Sequence, residues 1–203
     1  VLPYLERLRD ELRVPILYVS HALSEISRIA DTIVLVSDGR VVTGGPVSDV
    51  LARADLFPLT GRHEAGAVID AIVEGHDERY ELTELSCAGG RLRVPRLAAA
   101  PGTRLRVRVR ARDVILATEP PRGLSTQTVL EGVVAPGDTG TGAIVDLPLD
   151  CGGAALIARV TRRSVETLGL SPGRKVWALV KTVAFDRRSL GHAPPAAEDS
   201  MTE

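Results

Sequence analysis

The spacing of apolar residues changes near Arg62, from unbroken runs and helical spacings upstream to alternation downstream, and no single layer of structure accommodates both patterns. Leu5, Leu8 and Leu12 fall at helical spacing, and Pro15 stops that helix. The run Ile16-Leu17-Tyr18-Val19-Ser20 predicts a strand buried on both faces of a parallel sheet, because only two covering layers remove the need for alternation. Leu23, Ile26 and Ile29 give a second helix over residues 22–30, and Thr32-Ile33-Val34-Leu35-Val36 a second apolar strand. Ser37-Asp38-Gly39-Arg40 reads as a hairpin turn into Val41-Val42-Thr43, since Asp-Gly accepts the positive φ that tight hairpins require. Gly44-Gly45-Pro46 then leads into a short helix with Val47, Val50 and Leu51. This order is that of the end of an α/β domain, assigned to residues 1–61. The chain starts at Val1 rather than Met, which reads as a piece of a longer protein.

From Arg62 the period is two. Val68, Asp70 and Ile72 alternate, as do Tyr80, Leu82 and Glu84, and Arg91 to Val94 is a further short strand. Arg104-Leu105-Arg106-Val107-Arg108-Val109-Arg110 has one aliphatic and one guanidinium face, and Val114 to Leu116 follows. Past Pro120-Pro121-Arg122-Gly123, strands are expected at Thr128–Val134, Ala143–Leu149, Ala154–Val160 and Lys175–Ala184, with a short helix in Thr161–Leu168. With aromatics at 3%, Gly at 19 and Pro at 13, the cores must come from aliphatic residues on short strands. A late helix between strands suggests an OB-like barrel. The fold class is thus an α/β fragment followed by all-β: residues 62–122 a first β segment, 123–190 an OB-like domain, and 191–203 a disordered tail.

Charge excludes several functions. With 26 acidic against 25 basic residues, the chain lacks the basic excess that a nucleic-acid partner requires, and none is expected. The arginine face at 104, 106, 108 and 110 has no interleaved aromatics for base stacking, and reads as a solvated strand face or an interface with acidic partners. Cys87 and Cys151 form no CxxC, and His63, His76 and His192 have no metal-ligand spacing, so no metal site is expected. No apolar run reaches the roughly 20 residues that cross a bilayer.

Two places carry candidate chemistry. His21 follows directly on the predicted strand, where open α/β sheets bind ligands; it also fits an ordinary helix start beside Ser20. Thr161-x-x-Ser164 is ordinary helix capping, and it is also the arrangement of hydroxyls and free amides that holds a tetrahedral oxyanion. The Gly137-Asp138-Thr139-Gly140-Thr141-Gly142 loop lacks a lysine and reads as a hairpin loop, and G-x-x-x-x-G-K-[ST] occurs nowhere.

Two resemblances organise these features. Ile16 to His21 with Glu25, Ala30-Asp31, Asp38-Gly39-Arg40 and Pro46-Val47-Ser48-Asp49-Val50 resembles the C-terminal part of an ABC-transporter ATPase. By that resemblance His21 is the switch histidine contacting the γ-phosphate of ATP, while the phosphate loop, signature sequence and catalytic Glu would precede Val1. Arg112 to Ala117, Pro121 to Ser125, Val129 to Val134, Ala158 to Ser164, Leu168 to Gly173 and Val176 to Lys181 are similar to the TOBE or Mop module of molybdate importers, and Arg62-His63-Glu64-Ala65-Gly66-Ala67 resembles the same branch. The module's oxyanion contacts would fall on Ser125, Thr126, Gln127, Thr161, Ser164 and Lys181, one of only two lysines. The family's Ser-x-Arg-Asn reads here Ser125-Thr126-Gln127-Thr128, a change that removes one charge.

The resemblances imply the C-terminal portion of the ATP-binding subunit of a molybdate or tungstate ABC importer. Such a subunit uses ATP with Mg, pairs as a homodimer with membrane-spanning permease subunits, and is cytoplasmic at the inner face of the cell membrane. The fragment by itself should not hydrolyse ATP. Two other readings stay open: a free-standing oxyanion-binding or storage module, and an importer for another anion such as sulfate.

Overall fold

Alternation in the second part of the chain becomes two five-stranded antiparallel sheets. The computed structural model describes residues 2–12, 14–51, 53, 56, 65–137, 142–185 and 190–192. In order these form α1 (Leu2–Leu12), α2 (Leu23–Ile29), β1 (Thr32–Ser37), β2 (Arg40–Pro46), α3 (Val47–Leu51), β3 (Gly66–Asp77), β4 (Leu82–Cys87), β5 (Gly90–Pro95), β6 (Arg104–Arg110), β7 (Val114–Ala117), β8 (Thr128–Val134), β9 (Ile144–Cys151), β10 (Ala154–Thr161), α4 (Arg162–Leu168), β11 (Lys175–Val180) and β12 (Leu190–His192). The expected boundary at residues 61 and 62, most of the glycine-rich loop and residues 193–203 lie outside the described residues.

One sheet runs β12-β6-β3-β4-β5 and the other β10-β9-β8-β11-β7. Their inner faces share one core, in which Leu85, Leu92 and Val107 of the first meet Leu130, Leu147 and Leu156 of the second. The chain crosses between the sheets twice. β7, from the expected first β segment, pairs with β11, and β12 returns to pair with β6. Leu190–His192 is therefore strand where a disordered tail was expected to begin at 191.

Close packing explains a glycine in mid-strand. A Cβ on Gly132 would lie 2.5 Å from the Asp150 carbonyl oxygen and 2.7 Å from Cys151 Sγ, so only glycine lets β9 cross β8 there.

The first sixty residues differ from expectation in one respect. The Asp38-Gly39 turn forms with both residues at positive φ, 49° and 72°, and joins β1 to β2 as the pattern required. However, Ile16–Ser20 is not a strand: Leu17 is 96% and Val19 89% exposed. A run apolar on both sides needs neighbouring strands and two covering layers, and among the described residues no strand pairs with it. The sheet that does form, β1–β2, is the antiparallel ribbon of the expected hairpin, and it does not include residues 16–20. It packs with α2 and α3 through Leu23, Ile33, Val47, Val50 and Leu51.

This small cluster sits on the outer face of β3 and β6. Val68 of β3 belongs to it, while Ala67, Ile69 and Ala71 point into the main core. The middle of the arginine face of β6 is accordingly not solvated: Arg106 and Arg108 are only 6% and 7% exposed, while Arg104 at its start is exposed. Arg106 is met by Asp31 and Asp70, and Arg110 by Asp113.

Gly132→Ala should lower stability by about 1–3 kcal/mol through overpacking. Gly75→Ala, whose Cβ would meet nothing within 4 Å, should change it little. Urea denaturation of both variants checks the contrast.

Candidate functional site

The six expected oxyanion residues fall into two groups. Thr161, in extended conformation at φ −79° and ψ 150°, caps α4: its Oγ1 accepts from Ser164 N at 3.1 Å and lies 2.8 Å from Ser164 Oγ. The helix closes on Gly169 in the left-handed region, with Leu170 N donating to Val165 O at 2.9 Å. Thr161 and Ser164 line an open groove of about 460 Å³ between β7 and β10, the two outer strands of their sheet. Its walls are Val114, Ile115, Leu116, Ile144 and Leu168, with Arg112 and Arg159 at the polar end. Arg159 is already held by Asp146, its cross-strand partner, through a bidentate pair at 2.7 and 2.8 Å. Its charge is thereby neutralised, and Arg112 is the cation of the lining without such a fork.

The second group gathers at one end of the β8–β11 ladder, where Thr128 pairs with Val180. Thr126 Oγ1 donates to Val180 O at 2.8 Å, which ties the 125–127 turn beside the exposed Lys181. Ser125 and Gln127 are exposed and free to turn toward a ligand. None of this group lines the groove holding Thr161 and Ser164.

His21 is exposed and stands at the bend that opens α2. The backbone beside it is fixed by a cluster that sequence reasoning only touched on. Glu25 Oε2 accepts from Tyr18 Oη at 2.7 Å and from Ser20 Oγ at 3.0 Å, and Ser20 Oγ accepts from Ala22 N at 3.1 Å. Those donors hold the Glu25 carboxyl below its ordinary range, the Tyr18 bond first, and the same bond raises the Tyr18 phenol. The signal in the sequence was an acidic residue four places after His21, one turn along the helix.

Of the expected ATP contacts only His21 lies in this sequence, which contains no G-x-x-x-x-G-K-[ST] phosphate loop. Among the described residues, no cluster of three His, Cys, Asp or Glu could hold a metal ion. Burial raises both thiols, Cys151 to about 11 with further contributions from Asp150 and Cys87.

Two outcomes follow from these shifts. Glu25→Gln should bring Tyr18 back toward the ordinary phenol range in a spectrophotometric titration. In the native chain, the lowered Glu25 sets the sign of the pH dependence: the contact is complete above the unfolded carboxyl range and is lost as pH falls through the folded value. At pH 8, Cys151 should resist an alkylating reagent until denaturant is added, and rapid native labelling would contradict its burial.

Comparison with known proteins agrees with this layout. Residues 124–185 match the TOBE domain. "Molybdenum import ATP-binding protein ModC" of Mesorhizobium japonicum is 47% identical over 98% of this chain and 54% of its own length. The ModC of Rhizobium meliloti is 47% identical over 92% of this chain and 52% of its own. "Molybdenum import ATP-binding protein ModC 1" of Azotobacter vinelandii is 47% identical over 91% of this chain and 51% of its own. The chain therefore spans about half the length of the curated relatives it matches. Among solved structures, the cytoplasmic molybdate-binding protein ModG with molybdate bound superposes with a TM-score of 0.55 at 26% identity, covering 62% of this chain and 95% of that one. The chain carries a TOBE domain and is, along nearly all of its length, a homologue of the molybdenum import ATP-binding proteins.

Proposed function

We propose that this chain is the C-terminal portion of the ATP-binding subunit of a molybdate or tungstate ABC importer, and that its β-rich part is a regulatory module binding the imported oxyanion. The observation that carries the reading is the 47% identity over 98% of the chain to a molybdenum import ATP-binding protein about twice as long. That similarity runs through the first sixty residues, which a free-standing oxyanion module would not need. The bare apolar run at Ile16–Val19 supports it further, as a strand whose sheet neighbours belong to a part of the domain outside these residues.

In the whole subunit His21 would contact the γ-phosphate of ATP, and the nucleotide with Mg would be held by residues outside this chain. Permease subunits would be the membrane partners and a second copy the dimer partner, at the inner face of the cell membrane. No helix among the described residues is long and apolar enough to cross a membrane. Within the β-rich part, two separate sets of donors would serve the oxyanion: the hydroxyls of Thr161 and Ser164 in the groove, and, at the end of the β8–β11 ladder, the Ser125 hydroxyl, the Gln127 amide and Thr126 through its backbone amide, its hydroxyl being held by Val180 O. Lys181 would supply the positive charge at close range. A balanced net charge suits this arrangement, because recognition is local.

Calorimetric titration with sodium molybdate, with sulfate as comparison, tests the binding step. Heat is expected with the native chain, a loss of about tenfold or more in affinity with Lys181→Ala, and a comparable loss with Thr161→Ala/Ser164→Ala. No heat, or heat unchanged in both variants, would overturn the site.

A further inference from the structure

The helix that follows His21 is clamped at its far end by the β-rich region. α2 has seven residues, about 10 Å of helix, too short to hold its own geometry. Its last carbonyls are taken by two guanidinium groups: Arg9 Nη1 donates to Arg28 O at 3.3 Å and Ile29 O at 3.0 Å, and Arg106 Nη1 donates to Ala30 O at 2.6 Å. Cations there meet the negative end of the helix. Arg106 Nη2 also pairs with Asp31 at 3.1 Å, and its Nε, 3.6 Å from Asp70 and without a hydrogen bond of its own, leaves the group held by α2 more firmly than by its own sheet. The Arg106 side chain is only 7% exposed, although Asp31 and Asp70 keep much of their surface in water.

At the other end of α2, Ala22 O accepts from Glu25 N and Ile26 N, and Glu25 binds Tyr18 and Ser20. The residues on both sides of His21 are thus tied to the helix, and His21 moves with it.

We propose that Arg106 is the positioning residue through which the β-rich region places α2 and His21. The regulatory meaning rests on the transporter reading above; the mechanical claim does not.

The test uses the chain as it stands. Hydrogen exchange is followed at Ile26 and Ala30, together with the imidazole resonances of His21. Arg106→Met should raise exchange at these amides about tenfold and shift the His21 signals, while exchange in β8 and β11 stays unchanged. Arg106→Lys, which keeps the charge but loses the fork, should restore part of both effects; it also serves if Arg106→Met does not fold. Unchanged exchange in α2, or an equal rise across every element, would overturn the positioning role. Molybdate is absent from these measurements, so their failure is distinct from failure of the calorimetric titration.

Discussion

The β3–β6 ladder is the element on which everything else is built. Its inner side contributes Ile69, Ala71, Leu105 and Val107 to the main core, and its outer side holds Val68 against the helical cluster and Arg106 against the end of α2. A ladder used on both sides cannot tolerate a one-residue slip, because a slip would exchange guanidinium groups with core aliphatics. Asp70 opposite Arg106, and Ile69 opposite Val107, show the register that satisfies both sides at once.

That double use explains which parts of the fold could be read from the sequence. Strands β3 to β11 and the helix after Thr161 followed from alternation and turn residues, since each buries one face in a common core. The arginines of β6 were misplaced for a physical reason: alternation reports that two faces differ, and it cannot say whether the polar face meets water or a carboxylate of the same chain. The opposing alternation of Val68, Asp70 and Ile72 held the missing information, as it places an acid across from a guanidinium. The apolar run at Ile16–Ser20 failed in the opposite way. Its composition describes a sheet interior, and among the described residues no second strand builds one around it.

For the site, local chemistry was legible and assembly was not. Thr161 and Ser164 form the cap that their spacing implied, and Thr126 is tied to Val180, the residue before Lys181, at the end of the β8–β11 pairing. Which group shares a cavity depends on how strands far apart in sequence are ordered. Here that order sets the groove between β7 and β10, away from Lys181. Charge is placed by the same ordering: Arg159, two residues before Thr161, is held by Asp146, its partner in the β9–β10 register.

The pairing of β7 with β11 has a consequence for the modularity of the chain. The TOBE stretch of residues 124–185 does not contain β7, which comes from residues 114–117 and completes one side of its sheet. A piece cut at the limits of the sequence match would leave the apolar strand Val176 to Val180 with an open row of amides and carbonyls. Such an edge recruits another strand, from a second copy if no other is at hand. The unit that folds as a unit is therefore wider than the one that is recognised in sequence, and the four residues of β7, a short way before the match, are part of its sheet.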